Sequence, residues 1–146
     1  MRLLLSAALL LCLGSCSLLE GEPEPVWESA TIENGPPRRD LFQLIQFALV
    51  QAEFPPGQND PVAGRASSGW DVHLAPYSGK GYRERALVEA TPGDEAGSWN
   101  LRVRVERQRN VEKHLTLEED EADWEPDADD SLRARIVLQQ ILTQIH

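Results

Sequence analysis

The chain has 146 residues, of which 41% are hydrophobic and 26% charged, enough for one globular domain with a modest core. Its formal net charge of −10 disfavours non-specific binding to nucleic acid, because the phosphate groups would be repelled. The same charge disfavours anionic lipid headgroups, except where a local basic patch overrides the total.

The first residues have the pattern of a secretory signal peptide. Arg2 supplies a positive charge, and Leu3 to Leu13 form an apolar run that only Ser6 interrupts. This run is too short to span a hydrocarbon core of about 30 Å as a helix, but it has the length of a signal-peptide core. We therefore expect residues 1–15 to be removed on export.

The run ends in Leu13-Gly14-Ser15-Cys16, which resembles the lipobox of bacterial lipoproteins. The resemblance implies cleavage before Cys16 and acylation of its thiol, so that the lipid bilayer is the first partner of the chain. Cys12 is lost with the signal peptide, which leaves Cys16 without a disulfide partner. Ser17, in place of an aspartate, implies by the same resemblance the periplasmic face of the outer membrane. The alternative is an ordinary secretory signal with an incidental cysteine.

Residues 16–25 are predicted to form the lipidated N-terminus and a short tether, because Glu and Pro alternate with Gly in Glu20 to Pro25 and this composition disfavours a helix. A single domain is expected over residues 26–146. Its first segment, Val26 to Ile32, alternates imperfectly and is a candidate strand.

A first helix is predicted from the turn cluster Asn34-Gly35-Pro36-Pro37 to about Glu53. Its apolar stripe has helical spacing, and Phe42, Phe47 and Val50 widen it. The stripe consists of Leu41, Leu44, Ile45, Ala48, Leu49 and Ala52. Phe54 to Gly69, rich in Pro, Gly and Ser, is predicted to be a long polar loop.

Three strands with alternating apolar residues follow, at Trp70–Leu74, Tyr82–Ala90 and Trp99–Glu106. Glu84 interrupts the apolar face of the second strand. Glycine-rich hairpin connections separate the strands, so an antiparallel sheet with one apolar and one polar face is expected.

A last helix is predicted after the acidic segment Leu117 to Asp130. Either Asp130 or Ser131 can cap its first turn, and its stripe includes Ala134, Val137 and Ile141.

These elements predict an α+β fold with two layers, in which two helices cover one face of a three- to four-stranded antiparallel sheet. The order is (β)αβββα. It resembles the element order of several small envelope lipoproteins, including the LptE family of lipopolysaccharide-assembly lipoproteins. No motif is shared, so the resemblance carries no function over.

The most localised charge feature is a set of arginines on the polar strand face, namely Arg83, Arg85, Arg102 and Arg104. On adjacent strands they would form a basic patch for an anionic partner, such as a glycan, a lipid headgroup or an acidic protein. The alternative, which we favour, is that Glu89, Glu106 and Asp71 neutralise them in cross-strand pairs.

Other candidate sites are weaker. The acidic segment could bind calcium, but it lacks the ligand spacing of a calcium-binding loop. We favour a solvated loop that Trp124 packs onto the domain. His73, His114 and His146 show no metal-binding spacing, and no catalytic motif is present. No cofactor and no metal are implied.

The sequence therefore predicts a non-enzymatic lipoprotein that binds a partner or assists assembly in the cell envelope. The alternative is a structural envelope lipoprotein without a specific ligand. An enzyme is the least favoured class.

Overall fold

The computed structural model describes residues 21–145 and shows an α+β fold with two helices and an antiparallel sheet, which confirms the predicted class. The predicted signal peptide and Cys16 lie outside the described residues. The elements in chain order are β1 (Glu28–Ile32), α1 (Arg38–Gln51), β2 (Asn59–Asp60), β3 (Arg65–Ser67), β4 (Asp71–His73), β5 (Tyr82–Pro92), β6 (Trp99–Asn110), a 3-10 turn (Glu119–Glu121), β7 (Trp124–Asp127) and α2 (Ser131–Ile145).

The sheet has seven strands, so the predicted three to four strands and the order (β)αβββα are wrong. β2 and β3 lie within the predicted loop Phe54 to Gly69, and β7 lies within the acidic segment. These strands are two to four residues long. So few residues cannot establish an alternating pattern, and each strand forms only because a longer strand pairs with it.

The long hairpin of β5 and β6 organises the sheet. Its register runs from Tyr82 opposite Arg109 to Pro92 opposite Trp99. The outer edge of β6 pairs with β1 along its first half and with β7 near its end. The outer edge of β5 pairs with β4 at its start and with β3 farther along the strand.

The hydrophobic core lies between one face of this hairpin and the two helices. The sheet contributes Ala86, Val88, Ala90, Leu101, Val103 and Val105, each at most 2% exposed. The helices contribute most of the predicted stripes, including Leu41, Ile45, Ala134, Val137 and Ile141. Complete burial of one large aliphatic side chain stabilises the fold by roughly 1.5–3 kcal/mol. Phe47 and Val50, predicted to widen the stripe of α1, are half exposed instead.

α2 begins where the sequence predicted. The side chain of Asp130 accepts a hydrogen bond of 2.8 Å from the backbone N–H of Arg133, as a residue preceding a helix does. α2 packs on β6 and β1, and α1 packs on α2. Within residues 21–145, no helix has the length and apolarity needed to cross a bilayer.

Candidate functional site

The four arginines predicted as a patch lie on one face of the β5–β6 hairpin, opposite the core. Arg83 and Arg85 alternate with the core residues of β5, and Arg102 and Arg104 alternate with those of β6. Within the described residues both helices pack on the other side of the sheet, so no helix covers this side. We call the surface that bears these arginines the open face.

Three of the four arginines pair with carboxylates. Arg85 contacts Glu106 at 2.8 Å, directly across the hairpin, and Arg102 contacts Glu89. Arg104 binds Asp129 with two hydrogen bonds, of 2.6 and 3.1 Å, and the Asp129 side chain is 1% exposed.

One partner expected from the sequence lies elsewhere. Asp71 is on the core side of the sheet, where it pairs with Arg133 of α2 at 2.8 Å. Its prediction as a partner of the strand arginines is therefore wrong. The strand β4 pairs with β5 so that Asp71 stands opposite Glu84, on the other face from Arg83.

Arg83 differs from its neighbours because its only hydrogen-bond partner within the described residues is the neutral amide of Gln108, at 2.8 Å. Burial and the positive charge of Arg85 lower its pKa from the usual value. A guanidinium nevertheless remains protonated at physiological pH. Arg65 adds a second site of excess positive charge, because it shares Glu89 with Arg102.

Three of the four tryptophans of the chain also lie on the open face and stack against these arginines. The guanidinium of Arg83 lies 4.3 Å from the ring of Trp70 and 4.7 Å from that of Trp124. Trp70 also contacts Arg85, at 4.6 Å, and Trp27 contacts Arg102, at 4.5 Å. Cation–π contacts of this kind contribute about 0.5–1 kcal/mol when exposed and more when desolvated. They also hold the arginines in fixed positions.

Sequence reasoning missed this arrangement. Trp70 precedes the short strand β4 and Trp124 is the first residue of β7, so the face on which each lies follows only from the pairing of β4 with β5 and of β7 with β6. Trp27 precedes β1, whose pairing places it beside Arg102. A useful indication in the sequence was the coincidence of four tryptophans with arginine-rich strands in an acidic chain.

The open face is concave beside the hairpin. A cleft of about 500 Å³ is lined by Trp27, Arg65, Arg85, Leu87 and Glu89, together with residues of β2 and β3. It offers a partner an indole and an aliphatic side chain, surrounded by two guanidinium groups and the carboxylates of Asp60 and Glu89. This combination suits recognition of a surface that is partly apolar and carries polar groups.

A second polar cluster lies at the core side of the sheet. Glu84 is 1% exposed and accepts hydrogen bonds from Arg107, at 2.6 Å, and Arg133, at 2.5 Å. Burial raises the pKa of Asp71, but the hydrogen bonds from His73 and Arg133 outweigh it and hold this pKa below the usual value.

The cluster has the character of a structural network. Every buried side-chain nitrogen or oxygen within residues 21–145 has a hydrogen-bond partner. An adjoining cleft of about 640 Å³ contains His73, Tyr82 and Arg133, but no serine, threonine or cysteine lines it. A nucleophile beside the Asp71–His73 pair, as acyl transfer by a triad would require, is therefore missing from this part of the structure.

The acidic segment forms a 3-10 turn and β7. Across the described part of the chain, no group of three or more His, Cys, Asp or Glu side chains is arranged to hold a metal ion. His73 and His114 are far apart in the chain, and His146 lies outside the described residues.

Neither a scan of protein-family models nor a search of curated proteins gives a match to this chain.

Proposed function

We propose that the protein is a membrane-anchored lipoprotein of the bacterial envelope, which binds an acidic protein partner through the open face and catalyses no reaction. The lipobox-like segment that ends at Cys16 supports the anchor. We place the protein at the periplasmic face of the outer membrane, on the basis of Ser17.

The observation that carries the binding function is the composition of the open face. Trp27, Trp70 and Trp124 are partly exposed there and stack against arginines. Tryptophan and arginine are the residues most enriched among those that dominate protein–protein binding energies. Because the stacking fixes the arginine side chains in advance, less entropy is lost when a partner binds.

The open face is also large enough for a specific complex. β6 has 12 residues and therefore a length of about 40 Å. Four strands, β1, β6, β5 and β3, lie side by side and span roughly 15 Å. The resulting area, on the order of 600 Å², approaches the roughly 800 Å² that each partner buries in a standard interface.

Charge determines the kind of partner. Arg83 has no carboxylate bridge within the described residues, and Arg65 and Arg102 share one carboxylate. By the register of the strands this face carries five arginines against the carboxylates of Asp60, Glu89, Glu106 and Asp129, so it is at most one positive charge above neutral, on a chain whose net charge is −10. An acidic surface would be attracted to this face and repelled by most of the remaining surface, which would fix the orientation of the complex.

A second candidate function is that of a structural lipoprotein, whose open face is only a charged surface in contact with water. The observation that favours it is the pairing of three arginines, Arg85, Arg102 and Arg104, with carboxylates. The two functions differ in one observable property. A binding subunit has a stoichiometric partner that depends on Arg83 and its stacked tryptophans, and a structural lipoprotein has none.

The test is crosslinking in intact cells that produce the full-length chain. We compare the double variant Arg83→Gln, Trp124→Ala with the wild type and with Arg39→Gln, which changes an exposed arginine of α1 on the opposite layer. We expect one crosslinked partner for the wild type and for Arg39→Gln, and its loss in the double variant. An unchanged crosslink in the double variant would exclude the open face as the binding site.

The anchor is tested separately by labelling with a fatty-acid probe. The wild type should incorporate the probe and sediment with membranes, and Cys16→Ser should do neither. A Cys16→Ser variant that is still labelled would disprove the lipid anchor.

A further inference from the structure

The segment that leads to the predicted lipidation site follows the outside of β7. The backbone N–H of Val26 donates a hydrogen bond of 2.8 Å to Asp129. Residues 21–23 share a groove of about 560 Å³ with Arg109 and Glu125. The chain between Val26 and Gly21 therefore runs beside β7, from Asp129 toward Glu125. In this direction it approaches Asn110, the last residue of β6.

The predicted anchor cannot lie far from this point. Five peptide units separate Cys16 from Gly21, and fully extended chain spans at most about 3.6 Å per residue. An acylated Cys16 would therefore hold the bilayer surface within about 18 Å of Gly21. This step depends on the lipid anchor proposed above.

Two loops meet at this end of the sheet, namely residues 74–81, which connect β4 to β5, and residues 111–118, which follow β6. The backbone N–H of Gly79 donates to the carbonyl of Asn110 at 2.7 Å, and the Ser78 hydroxyl donates to that of Val111 at 2.9 Å. The Asn110 side chain in turn donates to the carbonyl of Thr116 at 3.3 Å. We call these two loops the loop end.

The loop end exposes large apolar side chains. Tyr77 is 72% exposed, Leu115 50% and Leu117 58%. At the opposite end of the sheet, the β5–β6 turn has the polar residues Asp94 and Glu95, and one large apolar side chain, Val62 of the neighbouring β2–β3 turn, is 89% exposed. Three exposed apolar side chains on neighbouring loops suit contact with an apolar surface.

The charges of the loop end also agree with a lipid surface. Both lysines of the chain, Lys80 and Lys113, lie here, are exposed and form no ion pair within the described residues. Lysines that flank exposed apolar side chains are typical of a segment at the headgroup level. The side chain of Glu112 is turned back to the backbone N–H groups of Lys113 and His114, at 2.8 and 2.9 Å.

Acidic residues follow Leu117 in the 3-10 turn Glu119–Glu121. They oppose attraction to anionic lipids, so the contact is expected to depend on apolar burial and to form on zwitterionic bilayers. Such a contact is weak by itself. The lipid anchor raises the effective concentration of the loop end at the bilayer surface, so a weak contact is enough to keep the loop end there.

We infer that the loop end rests on the bilayer that holds the acylated Cys16, with Tyr77, Leu115 and Leu117 at the headgroup level. The strands of the hairpin then stand steeply on the membrane. The open face is directed sideways and stays accessible to a protein partner in the same membrane.

The test uses the full lipidated chain in phosphatidylcholine vesicles. Acylation blocks Cys16, so a single introduced cysteine can carry an environment-sensitive fluorophore. We place it at Lys113→Cys in the loop end or at Ala96→Cys in the opposite turn, which is about 40 Å away along the strands. We expect nitroxide-labelled lipids to quench the fluorophore at residue 113 and to leave that at residue 96 unchanged.

A triple variant removes the apolar contact without touching the core. Tyr77→Ser, Leu115→Ser and Leu117→Ser together should reduce the quenching at residue 113 toward the level at residue 96. The substituted side chains are exposed, and circular dichroism verifies that the variant folds. Unchanged quenching in the triple variant would overturn the proposed contact.

The outcomes separate this inference from the anchor itself. If the chain floats with vesicles but both labels are quenched equally, or the label at residue 96 more strongly, the loop-end orientation is wrong and the anchor stands. If the chain carries no acyl group and does not float, both proposals are wrong.

Discussion

Arg133 in the first turn of α2 donates a hydrogen bond of 2.5 Å to Glu84 in the middle of the sheet. Glu84 is the residue that interrupts the apolar face of its strand, and its side chain is 1% exposed. The sequence shows only the interruption. The structure explains it, because Arg107 and Arg133 both bind this carboxylate and so connect the helix to the hairpin.

Glu84→Gln should destabilise the protein by roughly 1.5–3 kcal/mol, because it removes the buried charge that two partly buried guanidinium groups share, although Arg107 keeps Asp130 and Arg133 keeps Asp71. The measurement is the urea midpoint of unfolding at pH 7. The matched control is Glu121→Gln, an exposed residue of the 3-10 turn, which should change the stability by less than about 0.5 kcal/mol. Equal effects of the two substitutions would contradict the structural role of Glu84.

The pKa of Asp71 predicts a dependence of stability on pH. Because hydrogen bonds from His73 and Arg133 hold this pKa below its value of about 3.9 in the unfolded chain, the ionised Asp71 stabilises the fold above about pH 4. This contribution is lost as the pH falls through the folded-state pKa. We expect the difference between the urea midpoints of wild type and Asp71→Asn to shrink as the pH falls below about 4, and a difference that stays constant from pH 7 into this range would contradict the shift.

The stacking of Trp70 on Arg85 should be measurable as a coupling energy. In a double-mutant cycle with Trp70→Phe and Arg85→Met, we expect about 0.5–2 kcal/mol from urea unfolding. The pair Trp99 and Arg85 serves as control, because Trp99 lies in the core and no contact joins the two. A cycle value near zero for Trp70 and Arg85 would mean that the stacked arrangement does not stabilise the open face.

Substitutions at two glycines distinguish the cost of backbone strain alone from the cost of strain combined with steric overlap. Gly64 and Gly79 both have φ +72°, which disfavours any residue with a Cβ atom. At Gly64 a Cβ would lie 2.7 Å from the carbonyl oxygen of Ala90, whereas at Gly79 nothing lies within 4 Å. Gly79→Ala should cost about 1 kcal/mol and Gly64→Ala clearly more, as measured by thermal unfolding. Equal costs would contradict the close approach of Gly64 to β5.

Part of the fold followed directly from the sequence. Both helices and the long strands β5 and β6 lie where the apolar spacing predicted, because each extends over enough residues for its period to be recognised. Asp130 was identified as a cap candidate, since the preference for acidic and hydroxyl residues before a helix is local.

Other features had no local pattern. β3 and β7 owe their extended conformation to the long strands β5 and β6, which lie elsewhere in the chain, and β2 owes its own to pairing with β3. Residues 21–23, which belong to the predicted tether, line a groove with Arg109 and Glu125 beside β7, and no sequence pattern indicated this position. Contacts with a distant strand leave no periodic trace in a short segment, so the sequence could not reveal them.

The sequence by itself determined the α+β class, the apolar side of the hairpin and the presence of four arginines on its polar side. The lipobox-like segment that ends at Cys16, from which we propose the anchor, also comes from the sequence alone. Only the tertiary structure decided which carboxylates meet those arginines, that three tryptophans stack on them, and where the chain toward Cys16 leaves the domain. The physical reason is that periodicity fixes the side to which a residue points within its own element, whereas its neighbours depend on the register between elements far apart in the chain.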